Sequence, residues 1–576
     1  MKKWSAIGLF LILNGCGGSG GDIGEIINNP PTLQRIEIIG MNNPSNDVSR
    51  TSIYSDAKIK RIFNNGQSEE YPLVYQHLFK NNDVIQSKII GGIIDTFSQP
   101  IYDRSQNGIV TQFVADKFPA FALQLIDKQW VLLTGFSSSL KALPNHLNIT
   151  TIDQNSGTGS LKVQQTPTFE GGYWKLGGGF FSDSHLLITE KDEPDAQSWE
   201  NPDNRSNNEL NSFLNLYYQD DTKISTSSAY RYGLIIDSKI QDNLTLFSSK
   251  HYSLGRIGRA SIIVMPDKKT VYLGDSRQYG IFLMFIANAE SDFSSGMLYA
   301  AKWEQLDKIK ANLSWKYLGT TSDGEIKALV NNGITFSKIF ETKDQSNAGF
   351  TTLQTSNGFE YLKLKEYQET AAAFLETRRY AAMLEATSEF SPITGFAINA
   401  KDKKLYAAMP IISQGMLDNS LDIQNHITMN KSNAGAIFEI NLAAQQKDQR
   451  RENISSEWVA TSIQISQTMT GEDLPTSDKI GNTATLEKPA NPSVLAFHER
   501  LRTLFIGESG LSHVDRFVWA FQPDTQQLTK ILYAPAEVAT LQIIDNTNNF
   551  NYLLVSHAAN TATNQSNIGY MLLTQN

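Results

Sequence analysis

The chain has 576 residues, 40% hydrophobic and 19% charged, which is enough apolar material for one very large domain or about three average ones and too much for wholesale disorder. Its formal charge of -9, about -11 once Lys2 and Lys3 leave with a leader, argues against a nucleic-acid partner, and an anionic ligand would need local metals or a cluster of Arg and Lys. A single cysteine excludes an internal disulfide and a Cys-based zinc or iron–sulfur site, and none of the 8 His stand at His-x-x-x-His spacing, so a zinc hydrolase is not indicated.

Residues 1–16 read MKKWSAIGLFLILNGC. Two lysines precede an apolar stretch at 6–13, which is too short for a bilayer span of about 20 residues. That pattern predicts a signal peptide over 1–15. The ending Leu13-Asn14-Gly15-Cys16 resembles the bacterial lipobox and predicts a diacylglycerol anchor on Cys16; an ordinary signal peptide with an incidental cysteine is the alternative. Gly17 after the cysteine favours outer-membrane sorting by analogy. The Gly/Asn/Pro-rich stretch to residue 32 predicts a flexible tether over 16–32, with one folded domain over 33–576.

The body is a series of short apolar or alternating runs between polar turns, which predicts an antiparallel, mainly β protein. Runs fall at 130–134, 186–189, 232–237, 261–265, 271–273, 280–286, 394–399, 404–408, 436–440, 494–497, 503–506, 517–521 and 551–555. Three pairs repeat one form, an apolar strand, a short polar turn and a second strand, at 261–273, 394–408 and 493–506. That is how a propeller blade is commonly written. The longest predicted helix is 366–385, with Arg378 and Arg379 on an exposed charged face. Polar stretches at 193–211, 418–433 and 445–488 are predicted insertions or loops. Gly177-Gly178-Gly179 is read as a tight turn, since no P-loop helix follows it, and Asp220-Asp221 as a solvated pair. No Gly-x-Ser-x-Gly elbow occurs, which speaks against a serine hydrolase of that type.

From residue 230 onward the order of pieces is more specific. Residues 230–237 read YRYGLIID, 251–259 HYSLGRIGR, 264–275 VMPDKKTVYLGD and 294–303 SSGMLYAAKW; Thr377-Arg378-Arg379-Tyr380, 435–440, 504–508 and Trp519-Ala520-Phe521 follow collinearly. This series resembles the PhoX-type phosphatase family from roughly residue 71 to the C-terminus. The resemblance implies a β-propeller, six-bladed, whose central opening holds iron and calcium on clustered carboxylates and one cysteine. Calcium takes carboxylate oxygens, and several cations together would clamp a phosphate.

Carried over residue by residue, the implied site is eroded. The family's Glu falls on Ala260, its Gly-Asp-Asp on Gly274-Asp275-Ser276 and its Arg-Pro-Glu near Ser391-Pro392-Ile393. Its Asn-Pro-Asp-Asn becomes Asn491-Pro492-Ser493-Val494, and its Gly-Glu-Asp becomes Gly507-Glu508-Ser509. Its cysteine would fall near 174–179, where there is none, and the acidic pair after it falls near Thr189-Glu190. Asp275, Glu508 and Glu190 are therefore the residual metal-ligand candidates, against a reading as strand-end acids bonded to turns. Arg256 and Arg259 are candidate phosphate or carboxylate contacts, against a role in holding blades together, and His513 is a candidate ligand or acid–base group. Packed carboxylates repel unless cations neutralise them, so loss of the metals should go with loss of the acids. The expectation is a PhoX-like envelope lipoprotein with no cofactor, or calcium but not iron, acting as a binding or scaffold module. Its partners would be the membrane through the lipid and a protein or phosphate-containing ligand. A calcium-dependent phosphatase and a structural subunit of an envelope assembly are the alternatives.

Overall fold

The computed structural model describes residues 31–575 apart from 45–49, 51, 107–108, 141, 153–158, 166–170, 206–207, 420, 546–549 and 560–564. The predicted signal peptide, Cys16 and nearly all of the tether lie outside the described residues. No helix among the described residues is long and apolar enough to cross a membrane.

Six antiparallel four-stranded units follow one another along the chain. Blade 1 comprises Lys117–Ile126, Gln129–Ser137, His146–Ile152 and Gly159–Gln165; blade 2 comprises Leu176–Ser182, His185–Glu190, Ile235–Ile240 and Leu246–His251. Blade 3 is Arg259–Val264, Thr270–Asp275, Phe282–Ala289 and Asp292–Asp307; blade 4 is Gly395–Asn399, Lys404–Met409, Ala436–Ala443 and Val459–Ile465. Blade 5 is Pro492–His498, Thr503–Glu508, Arg516–Gln522 and Gln527–Ala534, and blade 6 takes Val538–Asp545, Phe550–His557 and Asn567–Gln575. The first strand of each blade packs against the first strand of the next, and that of blade 6 returns to blade 1, so the ring closes as a six-bladed β-propeller. The fourth strand of blade 6 is Tyr75–Lys80, paired antiparallel with Asn567–Gln575, so the two ends of the propeller are joined within one sheet.

The apolar runs of the sequence have a direct cause. A blade is covered on both faces by its neighbours, so its second strand cannot alternate. Thr270–Asp275 and Thr503–Glu508 are buried at every position. The predicted pairs at 261–273, 394–408 and 493–506 are the first two strands of blades 3, 4 and 5.

Between blades 3 and 4 the chain builds a cap. Lys310–Ser322 pairs with Asp292–Asp307 and, at its start, with Val459–Ile465, which merges the two blades into one nine-stranded sheet. A three-stranded sheet over 340–364 and several short helices complete it. The single helix predicted over 366–385 is two, Glu369–Leu375 and Thr377–Met383, broken at Glu376. Glu376 is buried there, accepting hydrogen bonds from the Tyr230 hydroxyl at 2.8 Å and from Arg379 at 2.7 Å.

The predicted loop 445–488 holds the outer strand of blade 4, Val459–Ile465, and 193–211 contains two short helices. Gly177–Gly179 lies inside the inner strand of blade 2 and is not a turn. A Cβ on Gly178 would stand 2.6 Å from the Ala260 carbonyl oxygen of blade 3, so close approach of neighbouring strands is what requires glycine. Asp220 is half-buried and caps the helix Asp221–Ser225, while Asp221 is exposed. Outside the ring, Leu33–Ile39, Lys58–Phe63 and Ser68–Pro72 form a small sheet against blade 5.

Candidate functional site: the mouth of the propeller channel

The six inner strands enclose a cavity of about 240 Å3 whose wall is uncharged, with Gly178, Ala260, Ser261, Gly395, Val494 and Thr540 among its lining residues. It continues at one end into a recess of about 560 Å3 that shares Gly178, Ala260, Val494 and Ala539 with it. Lys117, Lys175, Lys191, Asp192, Arg277 and Glu537 line that recess. The mouth is built where inner strands begin and second strands end, so residues one or two places beyond a second strand arrive there together.

Glu190, Asp275 and Glu508 each close the second strand of their blade and are fully buried. All three are occupied by the protein's own donors. Glu190 Oε1 accepts from the Trp174 N–H at 3.0 Å and from Lys250 Nζ at 2.8 Å; its Oε2 accepts from the N–H groups of Gly233 and Leu234 at 2.8 and 3.1 Å. Asp275 takes Arg378 at both oxygens, with the N–H groups of Arg277 and Ile281 at 3.1 Å each. Glu508 accepts from the Ala490 and Phe517 N–H groups at 2.9 and 3.0 Å and from the Trp519 indole at 2.7 Å. His513 Nδ1 lies 3.1 Å from both Glu508 oxygens, and its Nε2 lies 3.0 Å from the Thr485 carbonyl. With acceptors at both nitrogens the ring is satisfied as imidazolium; burial pulls its pKa down, but Glu508 outweighs burial and raises it. Each acid thus fastens the entry of its blade's third strand, and Glu190 and Glu508 also hold the segment leading into the first.

The three acids sit on three different blades. Among the described residues, no group of three or more His, Cys, Asp and Glu side chains could hold a metal ion. Ala260 and Val494 face the channel, whereas Ile393 is buried in the core and its carbonyl accepts from Ser261 Oγ at 2.7 Å.

Arg256 and Arg259, read as ligand contacts, are 3% and 0% exposed and serve the backbone. Arg256 donates to the carbonyls of Tyr232, Leu375 and Pro194 and stacks over Tyr230. Arg259 donates to the carbonyls of Gly233, Ile257, Leu254 and Gly255. Burial drops the Arg259 pKa to about 9, against the pull of Asp275 and Glu193. For Arg259 the Gly-rich turn explains this use: 254–258 leaves carbonyls that no strand satisfies, and one guanidinium caps three of them, whereas Arg256 ties the turn to carbonyls at 194, 232 and 375.

Arg378 and Arg379 do not form an exposed face. Their side chains are 18% and 19% exposed and point into the junction of cap and propeller. Arg379 forms a two-point pair with Glu360 at 2.7 and 2.9 Å. A continuous ion-pair chain runs from the mouth inward. Lys175 meets Asp192 at 3.0 Å, Asp192 meets Arg277 at 2.8 Å, Arg277 meets Glu193 at 3.3 Å, Glu193 meets Arg378 at 2.6 Å, and Arg378 meets Asp275 at 2.7 Å. Burial alone would push the Glu193 carboxyl up; Arg378 and Arg277 outweigh it and hold it at about 2. Lys117 pairs with Glu537 at 3.2 Å. Lys191 is the lining cation of the recess without an ion pair among the described residues, and burial with the nearby Lys117 charge lowers its pKa.

Sequence reasoning missed Lys117, Lys175, Lys191–Glu193 and Arg277. For Lys191–Glu193 and Arg277 the signal was present, since these charges follow within three residues of two second-strand ends that already carry an acid, Glu190 and Asp275; Lys117 and Lys175, at inner-strand starts, carried no such signal.

A closed ring of six four-stranded antiparallel sheets defines the class, a six-bladed β-propeller. No protein-family model and no curated protein matches the chain. Among solved structures it is similar to Trypanosoma rangeli sialidase, at 9% identity over 87% of this chain and 59% of that one, with a TM-score of 0.30. Kuenenia stuttgartiensis hydrazine synthase matches at 10% identity over 80% of this chain and 98% of that one, TM-score 0.29. Sqt1 from Chaetomium thermophilum matches at 9% identity over 77% and 83%, TM-score 0.29. The chain spans under two thirds of the sialidase, and these distant likenesses leave the propeller assignment resting on its own sheet topology.

Proposed function

We propose that this chain is a PhoX-like propeller lipoprotein of the bacterial envelope, anchored through Cys16 at the outer membrane, that binds at its channel mouth and carries out no metal-dependent phosphate chemistry. One observation supports this reading above the others. Each acid retained at a family-matching position has a cation from the chain itself: Lys250 for Glu190, Arg378 for Asp275 and His513 for Glu508. Buried carboxylates need such charge, and where a side chain supplies it no bound metal is required. The channel wall between them offers backbone and small side chains instead of ligands.

The open recess favours binding. Lys191 is the group that an entering carboxylate or phosphate would meet, while Lys117, Lys175 and Arg277 are held by acids. The test is an aryl phosphate assay on the purified mature chain, with calcium and then with chelator. No chelator-sensitive turnover is expected. Turnover that calcium restores would instead establish the phosphatase reading.

A further inference from the structure

Away from the channel, the connection between the second and third strands of blade 4 folds back over the segment that enters its first strand. Glu389, on that segment, is 2% exposed. Its Oε2 accepts from the N–H groups of His426 at 2.7 Å and Ile427 at 2.9 Å, and its Oε1 has no partner among the described residues. Asp422, on the connection, is 8% exposed. Its Oδ1 accepts from Gln354 at 2.7 Å, Asn419 at 2.9 Å and the Tyr279 hydroxyl at 3.3 Å, while its Oδ2 has no partner among the described residues. Neither acid forms an ion pair among the described residues, in contrast to Glu190, Asp275 and Glu508. The Asp422 carboxylate is near enough for its charge to act on the Glu389 carboxyl. Beside them opens a cavity of about 430 Å3, lined by Glu389, Tyr279, Gln354, Gln424 and His426.

Two buried carboxylates, each with an unsatisfied oxygen and no cation, are costly unless something neutralises them. A hard divalent ion does so best. Calcium accepts carboxylate, amide and water oxygens in flexible number, whereas magnesium demands a near-ideal octahedron. Zinc is disfavoured because it prefers nitrogen and sulfur donors, and beside the two carboxylates there is one histidine, His426, and no cysteine among the described residues. We infer that Glu389 Oε1 and Asp422 Oδ2 are ligands of a calcium ion that ties the blade 4 connection to the segment entering that blade. Tyr279 and Gln354 hold Asp422 from outside and bring blade 3 and the cap into the same joint.

The test uses the full mature chain, stripped with chelator and titrated with calcium alone by calorimetry and by thermal unfolding. One site per chain is expected. Glu389→Gln keeps an acceptor for His426 and Ile427, and Asp422→Asn keeps an acceptor for Gln354; each should weaken calcium by at least about tenfold, and the double variant should abolish it. Wild-type protein that shows neither heat nor a thermal shift overturns the inference even if the variants fail to fold. Variants that fold and titrate like wild type overturn it as well. Iron in the channel would bear on the proposed function and leave this site untouched.

Discussion

Arg378 grips Asp275 at both carboxylate oxygens, Nε to Oδ2 at 2.7 Å and Nη2 to Oδ1 at 2.9 Å, while its third nitrogen reaches Glu193 at 2.6 Å. One guanidinium from the cap therefore neutralises two carboxylates at the end of the channel. Removing it leaves Asp275 buried without its ion-pair partner and Glu193 with Arg277 alone. Arg378→Met is expected to cost about 3–5 kcal/mol, read as a lower urea midpoint, and Arg378→Lys less, because the charge survives without the fork. A midpoint unchanged in Arg378→Met would show that the pair contributes nothing.

Glu190 and Lys250 form a second such pair, with side chains 0% and 5% exposed. Lys250→Met alone should be strongly destabilising, since it strands Glu190. Adding Glu190→Gln should recover part of the loss, because an amide in the same place needs no counter-charge. A double variant less stable than Lys250→Met would contradict the pairing. The comparison is made by chemical unfolding of all three proteins.

His251 lies between Asp323 at 2.7 Å and Asp237 at 3.4 Å. Burial lowers its pKa, but the hydrogen bonds and charges of the two acids outweigh this and raise it to about 9. A raised folded value means that the contribution is complete below the ordinary 6.5 and is lost as pH rises through about 9. Across that window the fold should lose at most about 3 kcal/mol from this group. Asp237 behaves oppositely: burial would raise its pKa, but His185 and His251 hold it at about 2, so its share is present above about 4 and is lost as pH falls through about 2. Unfolding free energies from pH 6 to 10 should slope downward in wild type and lose this slope in His251→Gln.

Lys191 is expected to dominate anion binding at the mouth. Calorimetric titration with inorganic phosphate should show weak, salt-sensitive binding that Lys191→Ala lowers several-fold. Equal binding by the two proteins would place any anion elsewhere.

Gly178→Ala puts a methyl 2.6 Å from the Ala260 carbonyl, so neighbouring inner strands must part. A loss of about 1–3 kcal/mol is expected, read by thermal unfolding.

The blade pairs were legible because each second strand, buried on both faces, had to be apolar throughout, as 271–273 and 504–506 are. The closing strand Tyr75–Lys80 was not legible, since its partner lies about 490 residues away and its half-exposed pattern carries little signal. The resemblance to PhoX-type phosphatases singled out Asp275, Glu190 and Glu508, but their partners Arg378, Lys250 and His513 are fixed by tertiary placement. The Arg378–Arg379 face was misread for a related reason. Charge on a helix reads as exposure unless buried acids such as Asp275 and Glu376 are known to face it. Gly178 reads as a turn until a neighbouring strand is placed against it.

The most direct measurement is the metal content of the mature chain purified without chelator. No iron is expected, and at most one calcium per chain, lost in Glu389→Gln and retained in Asp275→Asn. Iron in stoichiometric amount, disappearing in Asp275→Asn or Glu508→Gln, would contradict the view that Arg378 and His513 have taken the place of metal at those acids.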